Sequence, residues 1–186
     1  MENSLEQLKP SRLWHYFAEI CKVPRPSKKE EKIASWLMSF ASARGLECIK
    51  DECGNILIRK NAAPGYEKRK TVILQSHMDM VCEKNSDTVH DFDKDPIEPF
   101  IDGEWVRAKG TTLGGDDGIG IAVAVAILDA DDISHGPLEA LFTVDEETGL
   151  TGAFALKPGL LNGRVLINLD SEDEGQVFIG CAGGMD

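Results

Sequence analysis

The stretch Thr71-Val-Ile-Leu-Gln-Ser-His-Met-Asp-Met80 decides how the chain is read. Its β-branched and apolar start, Thr71 to Leu74, predicts a buried strand, and the polar pair Gln75 and Ser76 carries the chain out of the core just before His77. His77 then falls at a strand end. In an α/β sheet that is where chemistry collects, because loops at the carboxyl ends of strands are held by a rigid scaffold yet stay open to substrate. Imidazole is a common metal ligand, and a carboxylate that accepts its second N–H fixes the tautomer. His77 is thus the candidate ligand and Asp79 its orienter. Taken alone, His-x-Asp is explained as well by a satisfied histidine at a strand end. Three acidic sites further along shift the balance.

On the N-terminal side, residues 11–22 place Leu13, Phe17 and Ile20 on one face, with Ser11 available as an N-cap, and predict an amphipathic helix. Val23-Pro-Arg-Pro26 ends it. Ser27, with Glu30 in capping-box position, predicts a second helix that buries Ile33, Leu37, Phe40 and Ala41 and closes at Gly45. Residues 46–50 and 55–60 predict a hairpin around Glu52-Cys-Gly-Asn55. Beyond the opening stretch, residues 81–100 form a charged, proline-containing loop. Its aspartates lack the spacing and glycine of an EF-hand and predict a solvated surface. Residues 105–109 predict a short strand, and Ile119 to Leu128, apolar on nearly every side, a helix buried against a sheet. Strands over 138–144 and 164–170, the latter read as a third core strand, and over 176–181 follow, with a helix starting after Thr148. Neither a repeat nor a linker interrupts the chain, which is read as one unit.

The 186 residues suffice for one domain with a real core. A net charge of −12 makes nucleic acid or an anionic membrane an unsuitable partner. The start of the chain lacks the pattern of a signal peptide, and its longest apolar stretch falls well short of the ~20 residues that span a bilayer. Five cysteines without C-x-x-C spacing indicate neither a disulfide framework nor a cysteine zinc site, and fit a reducing cytoplasm. Cys82 is expected to be a buried, inert thiol.

The acidic sites are Asp116-Asp117, Glu146-Glu147 and Asp170. Aspartate at a helix start is favoured by capping and by the dipole, which accounts for Asp117. Asp116 lies on the side of a glycine-rich loop that brings a carboxylate close to another group. Glu146 and Glu147 serve one site only where the strand breaks, and Thr148-Gly149 offers that break. Neighbouring carboxylates raise each other's pKa, so a solvated pair is the simple explanation; beside a dication one binds metal and the other takes a proton from water. Asp170 ends a strand that is apolar after Arg164. His77, Asp116, Glu147 and Asp170 form a nitrogen-and-oxygen set suited to Zn2+, Mn2+ or Co2+, and a bridging carboxylate would create a two-metal hydrolase centre.

His77-Met-Asp-Met80, Gly114-Gly-Asp-Asp-Gly118, Asp145-Glu-Glu-Thr-Gly149, Asn168-Leu-Asp170 and Gly180-Cys-Ala-Gly-Gly184 together resemble the N-terminal part of the M20 metallopeptidases, in particular their dipeptidases. The resemblance covers essentially the whole chain, 1–186, as the N-terminal segment of the catalytic domain. It implies an α/β fold, three-layer α/β/α with a mixed sheet, and a two-zinc site. There His77 and Asp170 bind one metal, Glu147 the other, Asp116 bridges, Asp79 orients His77 and Glu146 is the general base and acid. It implies a dipeptide substrate attacked by metal-bound hydroxide, and it allows a homo-oligomer. Family members continue into a lid domain and supply a late histidine to the second metal. With the chain ending at Asp186, that position is expected to be incomplete and the isolated chain inactive. Two alternatives follow: a non-catalytic fragment that binds metal or a partner, and an M20-type deacylase or carboxypeptidase.

Overall fold

Helices form where apolar residues recur every three to four positions. A computed structural model describes residues 5–171 and 175–180. In it α1 spans Ser11–Cys21, α2 Glu31–Ala43 and α3 Gly115–Asp129, after a short 3-10 turn at Leu5–Gln7. Helix α1 buries Tyr16, Phe17, Ile20 and Cys21, and α2 buries Ile33, Ala34, Leu37, Phe40 and Ala41. At the end of α2, Gly45 takes φ 63° and Leu46 N–H reaches back to Ala41 O at 3.0 Å, so a left-handed glycine satisfies the last carbonyls.

Two expected caps are not made. The residue before α1 is Pro10, and that before α2 is Glu30, neither with a side-chain cap. The Ser27 hydroxyl donates instead to Asp79 Oδ2 at 2.7 Å, and Glu30 Oε1 accepts from Lys28 N at 2.9 Å and Asp145 N at 3.0 Å. Buried groups of distant turns have taken the oxygens that local sequence offered to the helix.

The main sheet has the order β1-β2-β6-β3-β7. Its strands are β1 Glu47–Lys50, β2 Ile56–Lys60, β3 Val72–His77, β6 Leu138–Thr143 and β7 Val165–Asn168; β4 Pro99–Asp102 and β5 Trp105–Ala108 form a separate ribbon. The hairpin β1–β2 and the pair β2–β6 are antiparallel, while β3 is parallel to both β6 and β7. The sheet is therefore mixed and the fold α/β, as expected. Helices α1, α2 and α3 share one core with Ile56, Ile58, Leu74, Ala140 and Phe142 on one face. On the other face Leu57, Ile73 and Leu141 are covered by Leu156, Leu160 and Leu161, which follow the one-turn helix α4, Thr151–Phe154.

Three strand expectations change. Gln75 and Ser76 do not leave the core: β3 runs on to His77 with Ser76 fully buried, because ladders on both sides hold its backbone past the apolar run. The strand near 164–170 is not a core strand. It stands at the sheet edge with Val165, Leu166 and Ile167 exposed by 41–50%. Residues 176–180 are not a strand, and Val177 and Ile179 are almost fully exposed. Positions 172–174 and 181–186, which include most of the Gly180–Gly184 motif, lie outside the described residues. The acidic loop is solvated as expected, with Asp93 paired to Lys29 and Asp91 to Lys94. Among the described residues no helix is long and apolar enough to cross a membrane, and Cys21, Cys48, Cys53 and Cys82 are free thiols. Cys82 is half-buried rather than buried.

Candidate metal centre

The parallel strands set the site. After β3 the chain places β6 on one side of it and β7 on the other, which opens a crevice at their common carboxyl end. His77 is the last residue of β3, Glu146 and Glu147 follow β6, Asp170 follows β7, and Asp116 opens α3. All the residues proposed from sequence are brought to this end.

His77 is the centre of the arrangement. Its ring is 1% exposed, with Nδ1 3.2 Å from Asp79 Oδ1 and Nε2 2.8 Å from Asp116 Oδ1 and 3.9 Å from Asp170 Oδ2. Burial favours the neutral ring, yet the carboxylates of Asp79 and Asp116 outweigh it and lift the pKa to about 9. Asp79 is fully buried behind the ring. Its Oδ1 accepts Glu146 N–H at 3.0 Å, and its Oδ2 accepts Glu147 N–H at 3.3 Å and the Ser27 hydroxyl. Burial opposes its charge, but His77 and these donors prevail and hold its carboxyl near pKa 2. The same carboxylate thus orients the imidazole and seats the turn that carries both glutamates.

Two groups of donors share the ring. Oxygens of Glu146 and Asp170 lie within 4.8 Å of each other and of a His77 nitrogen, and so do oxygens of Asp116 and Glu147. Both glutamates are pushed above the usual range, by burial first and then by neighbouring acids: Asp170 and Glu147 for Glu146, Asp116 for Glu147. Of the repulsion expected between the two glutamates, the effect of Glu147 on Glu146 is present and secondary to burial. One imidazole and four carboxylates around a crevice form a donor set that fits divalent metal, since a cation compensates the repulsion and replaces the proton on the ring. In the assignment made from sequence Glu146 is not a ligand, and its position in the first group keeps it beside any metal held by His77 and Asp170.

Asp117 behaves as expected of a helix-start residue. It is 1% exposed and its Oδ1 accepts Gly120 N–H at 3.1 Å. Among the described residues its Oδ2 has no hydrogen-bond partner, and burial, opposed by His77 and reinforced by Asp170, raises the carboxyl to about pKa 7.

Sequence reasoning missed a supporting layer. Arg25, 2% exposed, donates to the carbonyls of Met78, Asp79 and Gly114. Asn55, 1% exposed, accepts Val144 N–H at 3.0 Å and donates to Gly152 O at 2.9 Å and Asp51 Oδ2 at 2.8 Å, which ties the β1–β2 turn to the end of β6. Asp145, at φ 50°, accepts the hydroxyls of Thr148 and Thr151 and so shapes the Glu146-Glu147 turn. One signal was available: Arg25 and Asn55 stand beside the breakers Pro24, Pro26 and Gly54, where a large polar side chain has a turn to brace.

Comparison with known proteins agrees with this geometry. The sequence pattern of Peptidase family M20/M25/M40 matches residues 73–181. The cytosol non-specific dipeptidase of Escherichia coli (strain K12) is 54% identical over 184 residues, which are 99% of this chain and 38% of that protein. The crystal structure of aminoacylhistidine dipeptidase from Vibrio alginolyticus superposes with a TM-score of 0.93 at 52% identity, over 95% of this chain and 36% of that one. Aminopeptidase PepT from Bacillus cereus superposes at 0.72 with 29% identity, over 87% and 43%. The chain therefore spans under half the length of each.

Proposed function

Because the chain belongs to peptidase family M20/M25/M40, we propose that residues 1–186 are the N-terminal segment of the catalytic domain of a metal-dependent dipeptidase. His77 and Asp170 would hold one divalent metal and Glu147 the other, with Asp116 shared between them. The observation that carries this reading is the buried imidazole, gripped from behind by Asp79 at 3.2 Å and aimed at Asp116 and Asp170. An outer carboxylate that fixes a histidine toward inner carboxylates is the layout of a metal ligand and its support. Zinc is the proposed metal, with manganese or cobalt compatible with the same donors. Dipeptides as substrates and the cytoplasm as location accord with the names of the E. coli and Vibrio relatives.

When bound, the dications supply Lewis acidity toward the peptide carbonyl and lower the pKa of water. The chain's own residues do the rest. Glu146, raised above the usual range by burial, takes a proton from the attacking water and delivers it to the leaving amine. Asp79 keeps His77 aligned and anchors the backbone of both glutamates.

A second reading, in which the chain binds metal and a partner without turnover, draws on the exposed edge strand β7. One experiment separates them: zinc is titrated into the metal-free chain while bound metal and hydrolysis of a simple dipeptide are followed. In the isolated chain metal bound without turnover is expected on both readings, and two metals with turnover exclude the second; in a protein that carries the complete catalytic domain, a loss of about 10²–10⁴-fold in Glu146→Gln at unchanged metal content is expected for the first. No metal bound refutes the ligand set.

A further inference from the structure

The linker between α1 and α2 touches the turns that carry His77, Asp116 and the two glutamates. Pro26 bridges to Met80, and Met80 N–H donates to Arg25 O at 3.2 Å. Ser27 holds Asp79, and Glu30 holds the backbone of Asp145. Arg25 is the member that reaches two turns at once. One guanidinium nitrogen, Nη1, donates to Met78 O at 3.2 Å and Asp79 O at 2.9 Å, directly after His77, while Nη2 donates to Gly114 O, two residues before Asp116.

The glycine-rich loop is shaped around this guanidinium. A Cβ on Gly114, which sits at φ 65°, would stand 2.5 Å from Nη2, and one on Gly118 would stand 2.6 Å from it. Neither position has room for a side chain while Arg25 is in place. Among the described residues every side-chain hydrogen bond of Arg25 goes to a backbone carbonyl. A buried cation held in this way is an expensive means of stabilising a fold, because burial strips it of water. Its planar fork, however, spans three carbonyls in fixed geometry, which a lysine amine does not.

We propose that Arg25 is a positioning residue that sets the separation between the His77 turn and the Asp116 turn, and with it the spacing of the two metal positions. The proposal rests on the ligand set given above. Arg25 touches neither metal nor substrate. It acts through the two turns, where the 2.8 Å approach of His77 Nε2 to Asp116 Oδ1 is the distance it maintains.

The test uses the 186-residue chain and two readouts, the ring ¹⁵N signals of His77 in metal-free protein and titration with Co2+. Arg25→Ala and Arg25→Lys are expected to keep the wild-type far-UV circular dichroism, to lose the His77 signature of a hydrogen bond to Asp116, and to bind cobalt about 10–100-fold more weakly. Millimolar guanidinium is expected to restore both readouts in Arg25→Ala, a rescue that general destabilisation would not show. A wild-type ring signal and cobalt affinity in both variants overturn the proposal, as does a loss that guanidinium leaves unchanged. Should Arg25→Ala fail to fold, Gly118→Ala carries the test, since its methyl group displaces Nη2 and leaves the charge in place; an unshifted His77 signal there overturns the proposal equally. If the wild-type chain binds no cobalt, the metal reading fails, and the ring signal still decides the role of Arg25.

Discussion

Asp79 shows how much a single buried carboxylate can organise. It faces His77 Nδ1 and takes hydrogen bonds from Ser27 and from the backbone of Glu146 and Glu147. An asparagine there keeps the shape but offers only one acceptor oxygen and no charge. Asp79→Asn is therefore expected to weaken zinc binding about 10–100-fold, as read by isothermal titration, because both the imidazole and the glutamate turn lose their support. Asp116→Asn acts at the other ring nitrogen and removes a proposed ligand. Its loss should exceed that of Asp79→Asn, and the reverse order would remove Asp116 from the ligand set.

Among the elements, β6 shows a second buried acid with a different task. Glu139, 1% exposed, pairs with Arg59 at 2.9 Å and accepts the N–H groups of Asn162 and Gly163 at 2.9 and 2.8 Å, which fastens the turn before β7 to the sheet. Burial opposes its charge, but the Gly163 N–H and Arg59 hold its carboxyl below the usual range. A folded pKa below the unfolded one contributes stability that is present above the unfolded value, ~4.3, and is lost as the pH falls through the folded value. Urea unfolding across acidic pH should show a smaller loss of stability in Glu139→Gln than in the parent, from a starting point ~1–3 kcal/mol lower near neutrality. The elements themselves were largely legible: the apolar stripes of α1 and α2, the apolar run before His77 and the acids that interrupt apolar runs all carry local signals. The braces were not. Arg25 bonds to a carbonyl 53 residues away, and a backbone carbonyl has no signature in sequence. Ser27 and Glu30 looked like caps because capping needs only neighbours, and the distant buried Asp79 carboxylate and Asp145 N–H outcompeted the helix for them. The strand β7 looked like core because its side chains are apolar, while its burial depends on what lies beside it.

At the scale of the molecule, β7 leaves one edge of the main sheet open among the described residues, with Leu166 50% exposed next to Val165 and Ile167. Exposed apolar edges invite pairing with another chain. Light scattering of the isolated chain should rise with concentration despite the net charge of −12, and Leu166→Lys should lower it; equal scattering would remove the edge as the cause. The linker that carries Arg25, Ser27 and Glu30 bears on another boundary. The family pattern begins at residue 73, yet the turns that carry His77, Asp116 and Glu147 are fastened from residues 25–30. The recognisable stretch and the self-sufficient piece of protein thus differ. A chain cut to the recognisable stretch would keep His77, Asp116, Glu146, Glu147 and Asp170 and lose what makes them neighbours, so the smallest transplantable form of this centre includes the first two helices.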